Sequence, residues 1–292
     1  MLIEYRNGTG LLAVIGDPIA HSLSPLLHNT MIRELGRDDL YLAVRLARGG
    51  LPEFIRAAKT LPITGFNLTM PHKQDVLPYL ADMTPEARRA GSVNSVRIRE
   101  GRLEGHSTDG MGFRRALQDL GYDFPGQNVT ILGAGGAARS VAMTAVDCGA
   151  RQVRVVNRTL EKAERLCAGE PSMRAFPMEL AEEILPDTDV LINTTPVGME
   201  GAGTEGAFPF LRALKPGAPA VDCIYAPAMT PFMAAAKAQG HPAANGIGML
   251  VYQAIYAYGF FRELDFDPET VSRLGRLLLE ASGVDVFGNG AD

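Results

Sequence analysis

Short apolar runs alternate along most of the chain with stretches whose apolar residues recur at helical spacing, and this alternation sets the predicted elements. Leu11–Ile15 reads as a buried strand, Gly16-Asp17-Pro18 as a loop, and Pro25 suits the first turn of a helix reaching about Gly36. Leu40–Leu46 predicts a second strand, Leu51–Lys59 a helix, and Ile63–Leu68 a third strand stopped by Thr69-Met70-Pro71. Val93–Ile98 and Arg102–His106 flank the charged turn Arg99-Glu100-Gly101 and predict a hairpin.

From Asp109 the rhythm is cleaner. Helix Met111–Leu120, strand Val129–Leu132, helix Ala137–Cys148, strand Val153–Val156 and helix Leu160–Ala168 follow in turn. Strands Val190–Asn193 and Ala220–Cys223 and helix Pro231–Gln239 continue the pattern. Alternation of this kind predicts an α/β fold with a parallel sheet and crossover helices. Gly198–Gly206 is a Gly-rich loop expected to be mobile. Two helices, Gly246–Phe261 and Pro268–Ala281, close the chain before a tail, Gly288-Asn289-Gly290, expected to fray. The expected divisions are an α/β domain over 1–112, a nucleotide-type Rossmann-like domain over 113–245, and terminal helices over 246–292.

Composition narrows the function classes. A length of 292 residues suits two modest domains. A net charge of −5 and the lack of any Lys/Arg block argue against a nucleic-acid partner. No apolar run approaches the ~20 residues of a membrane span, and the N-terminus has no secretory pattern. Three cysteines without paired spacing fit reduced cytoplasmic thiols, and five scattered histidines offer no metal motif.

Residues 133–138 read Gly-Ala-Gly-Gly-Ala-Ala between a predicted strand and a predicted helix. Gly133 would allow the tight turn, Gly135 the close approach of a diphosphate, and Ala138 close helix–sheet packing. The helix N-terminus would then offer free N–H groups to the phosphates. Strand Val153–Val156 ends in Asn157-Arg158-Thr159, without the carboxylate that would hold the ribose of NAD. Arg158 can instead present its planar fork to a 2′-phosphate, with hydrogen bonds from Asn157 and Thr159, so NADP is the expected cofactor.

Seven further segments, in order from about residue 12 to 260, resemble the signatures of the shikimate dehydrogenase (shikimate/quinate dehydrogenase) family. They are His21-Ser22-Leu23-Ser24-Pro25, Asn67-Leu68-Thr69-Met70-Pro71-His72-Lys73, Gly91-Ser92-Val93-Asn94 and Ser107-Thr108-Asp109-Gly110. Asn193-Thr194-Thr195-Pro196, Asp222-Cys223-Ile224-Tyr225 and Gly246-Ile247-Gly248-Met249-Leu250 with Gln253 complete the set. The chain departs from the pattern at Ser107, where the family usually has Asn, and at Ser92, where it usually has Ala.

The resemblance implies an N-terminal substrate domain, an NADP domain, and C-terminal helices returning to the first, with substrate and nicotinamide meeting between them. It implies reversible hydride transfer between NADPH and 3-dehydroshikimate, on the route to chorismate and the aromatic amino acids. By the same resemblance, Ser22, Ser24 and Tyr225 hold the substrate carboxylate, and Asn67, Thr69, Asn94 and Gln253 its ring hydroxyls. Lys73 and Asp109 form the catalytic proton-transfer pair on the reacting hydroxyl; which of them is the microscopic base stays open. Gly133, Ala134, Gly135, Gly136, Ala137, Asn157, Arg158, Thr159, Lys162, Thr195, Cys223, Gly246 and Met249 would contact the cofactor. Read from the residues alone, Ser24 before Pro25 is equally a helix N-cap.

The expected partner is the small-molecule substrate, without nucleic acid or membrane, and a homodimer is left open. Two alternatives remain: a quinate/shikimate or aminoshikimate dehydrogenase of the same family, and a non-catalytic ligand sensor that keeps the fold. The Asn157-Arg158-Thr159 ending argues against an NAD-linked quinate enzyme, and the presence of both Lys73 and Asp109 argues against the sensor.

Overall fold

A computed structural model of the chain describes residues 8–199 and 208–289. The predicted Gly198–Gly206 loop lies, from residue 200 on, outside the described residues, as does Gly290 of the tail. The chain divides into two compact units, Met1–Asp109 with Val251–Gly283, and Gly110–Leu250 with Val284–Asp292. The C-terminal segment 246–292 is therefore shared between the units rather than assigned whole to the first. The chain passes from one to the other inside two continuous helices, Asp109–Asp119 and Ile247–Arg262.

The first unit carries a mixed sheet of β1 (Gly10–Gly16), β2 (Asp39–Arg45), β3 (Ile63–Leu68), β4 (Asp82–Met83), β5 (Ser95–Arg99) and β6 (Arg102–His106). Their order is β2-β1-β3-β5-β6-β4. β1 lies between two parallel neighbours, which is why Leu11–Ile15 is apolar on both faces rather than alternating. β5 and β6 form the predicted hairpin, antiparallel, with Arg99 opposite Arg102. Its two-residue turn needs positive φ at both positions: Glu100 stands at +49° and Gly101 at +73°. Phe66, Leu68, Val96 and Leu103 of this sheet are buried in one cluster with Leu51 and Ile55 of helix Leu51–Ala58 and with Ala87. Each such side chain contributes about 1.5–3 kcal/mol of burial. Tyr258 and Arg262, late in helix Ile247–Arg262, donate to Asp39 Oδ2 at 2.7 and 2.9 Å and tie that helix to the start of β2.

The second unit is wholly parallel. β7 (Asn128–Leu132), β8 (Gln152–Asn157), β9 (Met173–Pro177), β10 (Val190–Asn193), β11 (Ala220–Asp222) and β12 (Ala243–Ala244) stand in the order β12-β11-β10-β7-β8-β9. This is the doubly wound arrangement, and its direction reverses between β7 and β10. Loops at the carboxyl ends of those two strands therefore frame the place where such sheets bind ligands. Ala138, Val141, Ala142 and Ala145 of helix Gly136–Asp147 are fully buried on the sheet.

Candidate active site and nucleotide site

In the first unit β3 ends where a short helix, His72–Asp75, begins. Three backbone contacts fix this corner. Thr69 N donates to Ile15 O at 3.0 Å, His72 N to Thr69 O at 2.9 Å, and Val93 N to Lys73 O at 2.9 Å. His72 is fully buried, with Nε2 2.8 Å from Leu46 O. The corner thus throws Lys73 toward Asp109, the first residue of helix Asp109–Asp119. Lys73 Nζ donates to Asp109 Oδ2 at 2.6 Å. The Asp109 side chain is 5% exposed and that of Lys73 20% exposed, so the pair is sheltered yet reachable from the lysine side.

Asn94 holds the other carboxylate oxygen. Its Nδ2 lies 2.9 Å from Asp109 Oδ1, 2.9 Å from Thr108 Oγ1 and 3.2 Å from Gln253 Oε1. Its Oδ1 accepts from Thr108 N at 2.8 Å and from Ser95 Oγ at 3.1 Å. Asn67 joins one layer back, donating to Asn94 O at 3.0 Å and Ser95 Oγ at 2.9 Å. Its Oδ1 accepts from the Tyr41 hydroxyl at 2.6 Å. Asn67, Asn94, Asp109 and Gln253 are all buried. Buried polar groups persist only when satisfied, and these satisfy one another.

The network contains residues that the sequence did not single out. Tyr41 and Ser95 orient Asn67, and Tyr41 is in turn stacked on His28, with ring centroids 3.9 Å apart and planes at 3°. His28 is fully buried with neither ring nitrogen hydrogen-bonded. Burial pulls its pKa down to about 3, so the ring is neutral. β2 reads Asp-Leu-Tyr-Leu-Ala-Val-Arg without alternation, so nothing in the sequence marks Tyr41 as inward or pairs it with Asn67.

Ser22 and Ser24 lie at the entry to helix Ser24–Glu34. The expectation that Ser24 caps this helix is corrected. Leu23 occupies the cap position with no side-chain hydrogen bond, and Ser24 is the first helical residue. Ser22 Oγ instead accepts from Ser24 N at 3.3 Å. Pro25 supplies the fixed φ of the first turn, and a helix begun this way manages without a side-chain acceptor.

In the second unit the turn after β7 has the form a diphosphate requires. Gly133 has φ +106°, and a Cβ there would stand 2.6 Å from Thr194 Oγ1, so only glycine fits. Gly135, exposed at the N-cap of helix Gly136–Asp147, has nothing within 4 Å of where a Cβ would be. Ala134, Gly136 and Ala137 are partly exposed around it, and no acidic residue occupies the helix's first turn. Backbone N–H groups with open space before them and no competing carboxylate fit a bound diphosphate.

β8 ends at Asn157, whose Nδ2 donates to Thr159 O at 2.8 Å and tightens the turn. Arg158, Thr159 and Lys162 are exposed around it, and Glu161 stands beside Lys162 in the first turn of helix Leu160–Cys167. Beyond β10, Thr195 is held by Asn193, whose Oδ1 accepts from Thr195 N at 3.1 Å and Thr195 Oγ1 at 2.7 Å. Gly246 runs against the chain after β11: its N donates to Ile224 O at 2.8 Å, and a Cβ would stand 2.2 Å from Cys223 O. Thr195, Cys223 and Gly246 are thereby gathered at the carboxyl ends of β10 and β11. Tyr225 follows, half-buried, and Met249 is buried in the core of this unit. Among the described residues no group of three or more His, Cys, Asp or Glu is placed to hold a metal ion.

Two family models match the chain: "Shikimate dehydrogenase substrate binding domain" over residues 14–96 and "Shikimate / quinate 5-dehydrogenase" over 114–198. The NADP(+) shikimate dehydrogenase of Desulfitobacterium hafniense is 40% identical over 277 residues, covering 93% of this chain and 98% of that protein. A crystal structure of shikimate 5-dehydrogenase from Thermus thermophilus, in complex with NADP(H) and shikimate, is 36% identical. It superposes with a TM-score of 0.80 over 92% of this chain and 100% of its own. The Listeria monocytogenes enzyme, in complex with shikimate and NAD, is 30% identical with a TM-score of 0.83 over 95% of this chain and 99% of its own.

Proposed function

The chain belongs to the shikimate dehydrogenase family and is an NADP-dependent oxidoreductase that reduces 3-dehydroshikimate to shikimate; on that premise we propose which of its residues carry the reaction. The observation that supports the assignment best is the buried Lys73–Asp109 pair at 2.6 Å, framed by Asn94 and Gln253.

NADPH, when bound by the Gly133–Ala137 turn, supplies the hydride that reduces the carbonyl carbon. The carbonyl oxygen must gain a proton as the carbon gains that hydride, and Lys73 is the donor within reach. Asp109 orients the Lys73 ammonium and accepts the hydrogen bond of the new hydroxyl. Its Oδ1, already fixed by Asn94, cannot swing away. In oxidation the same pair takes the hydroxyl proton back. Loss of the Lys73 proton leaves a neutral amine beside a carboxylate, which is reprotonated through the exposed face of the lysine.

The substrate is an anion with three hydroxyls. Ser22, Ser24 and Tyr225 supply neutral hydroxyls for its carboxylate. Asn67, Thr69, Asn94 and Gln253 meet the ring hydroxyls. Asn67 spends both N–H groups on Asn94 O and Ser95 Oγ, so toward substrate it offers only an acceptor. Arg158, Asn157, Thr159 and Lys162 take the 2′-phosphate of NADP. Thr195, Cys223, Gly246 and Met249 line its nicotinamide end. The chain's net charge of −5 and its three cysteines outside any disulfide support a cytoplasmic enzyme whose partner is the small-molecule substrate, not nucleic acid or membrane. No helix among the described residues is long and apolar enough to cross a membrane. A homodimer is tested by sedimentation equilibrium.

The assignment is tested by Lys73→Ala together with the four combinations of NADP or NAD with shikimate or quinate. The variant is expected to lose turnover by about two to four orders of magnitude with Michaelis constants within a few-fold. Near-normal turnover would remove Lys73 from the mechanism, and faster NAD-linked quinate oxidation by the wild type would overturn the substrate and cofactor assignments.

A further inference from the structure

Asp222 and Asn193 stand opposite each other in the register of β10 and β11, and both are fully buried. Neither can touch a ligand, yet every loop assigned above to the nicotinamide end is tied to this pair. Asp222 Oδ1 accepts from Asn193 Nδ2 at 3.0 Å and from Ile224 N at 3.0 Å. Asp222 Oδ2 accepts from Thr230 Oγ1 at 2.7 Å. Thr230 is itself the N-cap of helix Pro231–Ala238, accepting from Met233 N at 3.1 Å. On the far side Asn193 Oδ1 holds Thr195 through both its N and its Oγ1, and Asn193 O accepts from Cys223 N at 2.9 Å. Ile224 O in turn accepts from Gly246 N at 2.8 Å.

We propose that Asp222 is a positioning residue for cofactor and substrate: one buried carboxylate, acting through Asn193, sets the loops bearing Thr195, Cys223–Tyr225 and Gly246 as a single unit. The inference rests on the assignment of those loops to the nicotinamide end and the substrate carboxylate. Its physical basis is the acceptor count. Three donors converge on Asp222, one from the end of β10 and two from the stretch that follows β11, and a carboxylate has two oxygens with about four lone-pair sites to serve them. An amide keeps one oxygen for Asn193 Nδ2 and Ile224 N but turns an NH2 toward Thr230 Oγ1, so Asp222→Asn removes the charge from all three bonds and reverses the one that ties in helix Pro231–Ala238. Burial outweighs the pull of its donors and leaves the Asp222 carboxyl raised to about 6, so at pH 7.5 it is ionised. An apolar core at this place would hold the strands but leave three loops independently mobile.

The test reads binding rather than turnover alone. NADPH is titrated into the full chain by calorimetry, giving dissociation constant and binding-competent fraction separately, and KM and kcat are measured with shikimate. Asp222→Asn is expected to raise the NADPH dissociation constant and the KM for shikimate each by about tenfold, with kcat within about threefold, because Lys73 and Asp109 are untouched. Asn193→Asp, which sets two carboxylates together, is expected to lose more. The double variant Asn193→Asp/Asp222→Asn, with one carboxylate and one amide again, recovers at least half of that loss on a logarithmic scale.

Should Asp222→Asn fail to fold, Thr230→Val cuts one donor to Oδ2 and is expected to raise the same constant several-fold. Two results overturn the proposal. One is an unchanged dissociation constant and KM in Asp222→Asn. The other is a fall only in the competent fraction at constant affinity, which is what a purely structural carboxylate would give. Arg158→Gln separates the levels. If it weakens NADPH binding while Asp222→Asn does not, the positioning role fails alone; if neither does, the cofactor assignment fails with it.

Discussion

Replacing His28 with phenylalanine isolates the acid sensitivity of the first unit. The native ring is fully buried, lacks a hydrogen bond at either nitrogen, and has its pKa pulled from 6.5 to about 3 by burial. The unfolded ring titrates normally. Between pH 6.5 and about 3 the unfolded chain therefore binds a proton that the native chain refuses. The stability His28 permits is complete above that window and is lost as pH falls through it. At pH 5, 1.5 pH units below the unfolded value, the loss is about 2 kcal/mol at ~1.4 kcal/mol per unit. Phenylalanine keeps a flat ring against Tyr41 and forfeits no hydrogen bond. Its larger ring costs about 1 kcal/mol of overpacking, equal at every pH. Hydrogen exchange of the slowest β1 and β3 amides at pH 7 and pH 5 reads the opening free energy of this unit. Wild type is expected to lose about 2 kcal/mol more than His28→Phe between the two. His106, also shifted down by burial, affects both proteins alike and cancels. Equal losses in the two proteins would mean that His28 titrates normally in the native state and would refute the reasoning.

Other substitutions probe separate parts of the argument. Arg158→Gln should raise the KM for NADP by about tenfold or more and leave that for NAD within twofold, since one charge-assisted contact is worth ~1.5–3 kcal/mol; equal effects on both would deny the 2′-phosphate role. Ser92 is buried with its hydroxyl unpartnered, so Ser92→Ala should stabilise the first unit by about 1 kcal/mol in urea unfolding. A destabilised variant would show that the hydroxyl has a partner. Gly246→Ala should destabilise the second unit by about 3 kcal/mol and lower its melting temperature, because the methyl would meet the Cys223 carbonyl at 2.2 Å. An unchanged melting temperature would mean that the two segments separate freely.

What the sequence determined on its own was local. The apolar run Leu11–Ile15, the 3.6-residue spacing of Ala138, Val141, Ala142 and Ala145, and the Gly133–Gly135 turn each state their element within a few neighbours. Backbone hydrogen bonds and φ preferences act over those same few residues. Elements of two residues, β4 and β12, carry no period to read, and they exist only because longer strands beside them offer an edge. The Ser24 cap failed for a related reason: Pro25 fixes the first turn by its own φ, so a local preference had nothing to decide.

The tertiary structure decided the partnerships, of which the family resemblance had named one, Lys73 with Asp109. Lys73 and Asp109 are 36 positions apart, and Asn94 and Gln253 are 159 apart. No spacing rule connects them, because the distance between such residues is set by how β3, β5 and the helix Ile247–Arg262 pack. The same holds for Tyr41 on Asn67 and Asp222 on Asn193. A buried donor must find an acceptor, but which acceptor is settled only when the strands take their order in the sheet.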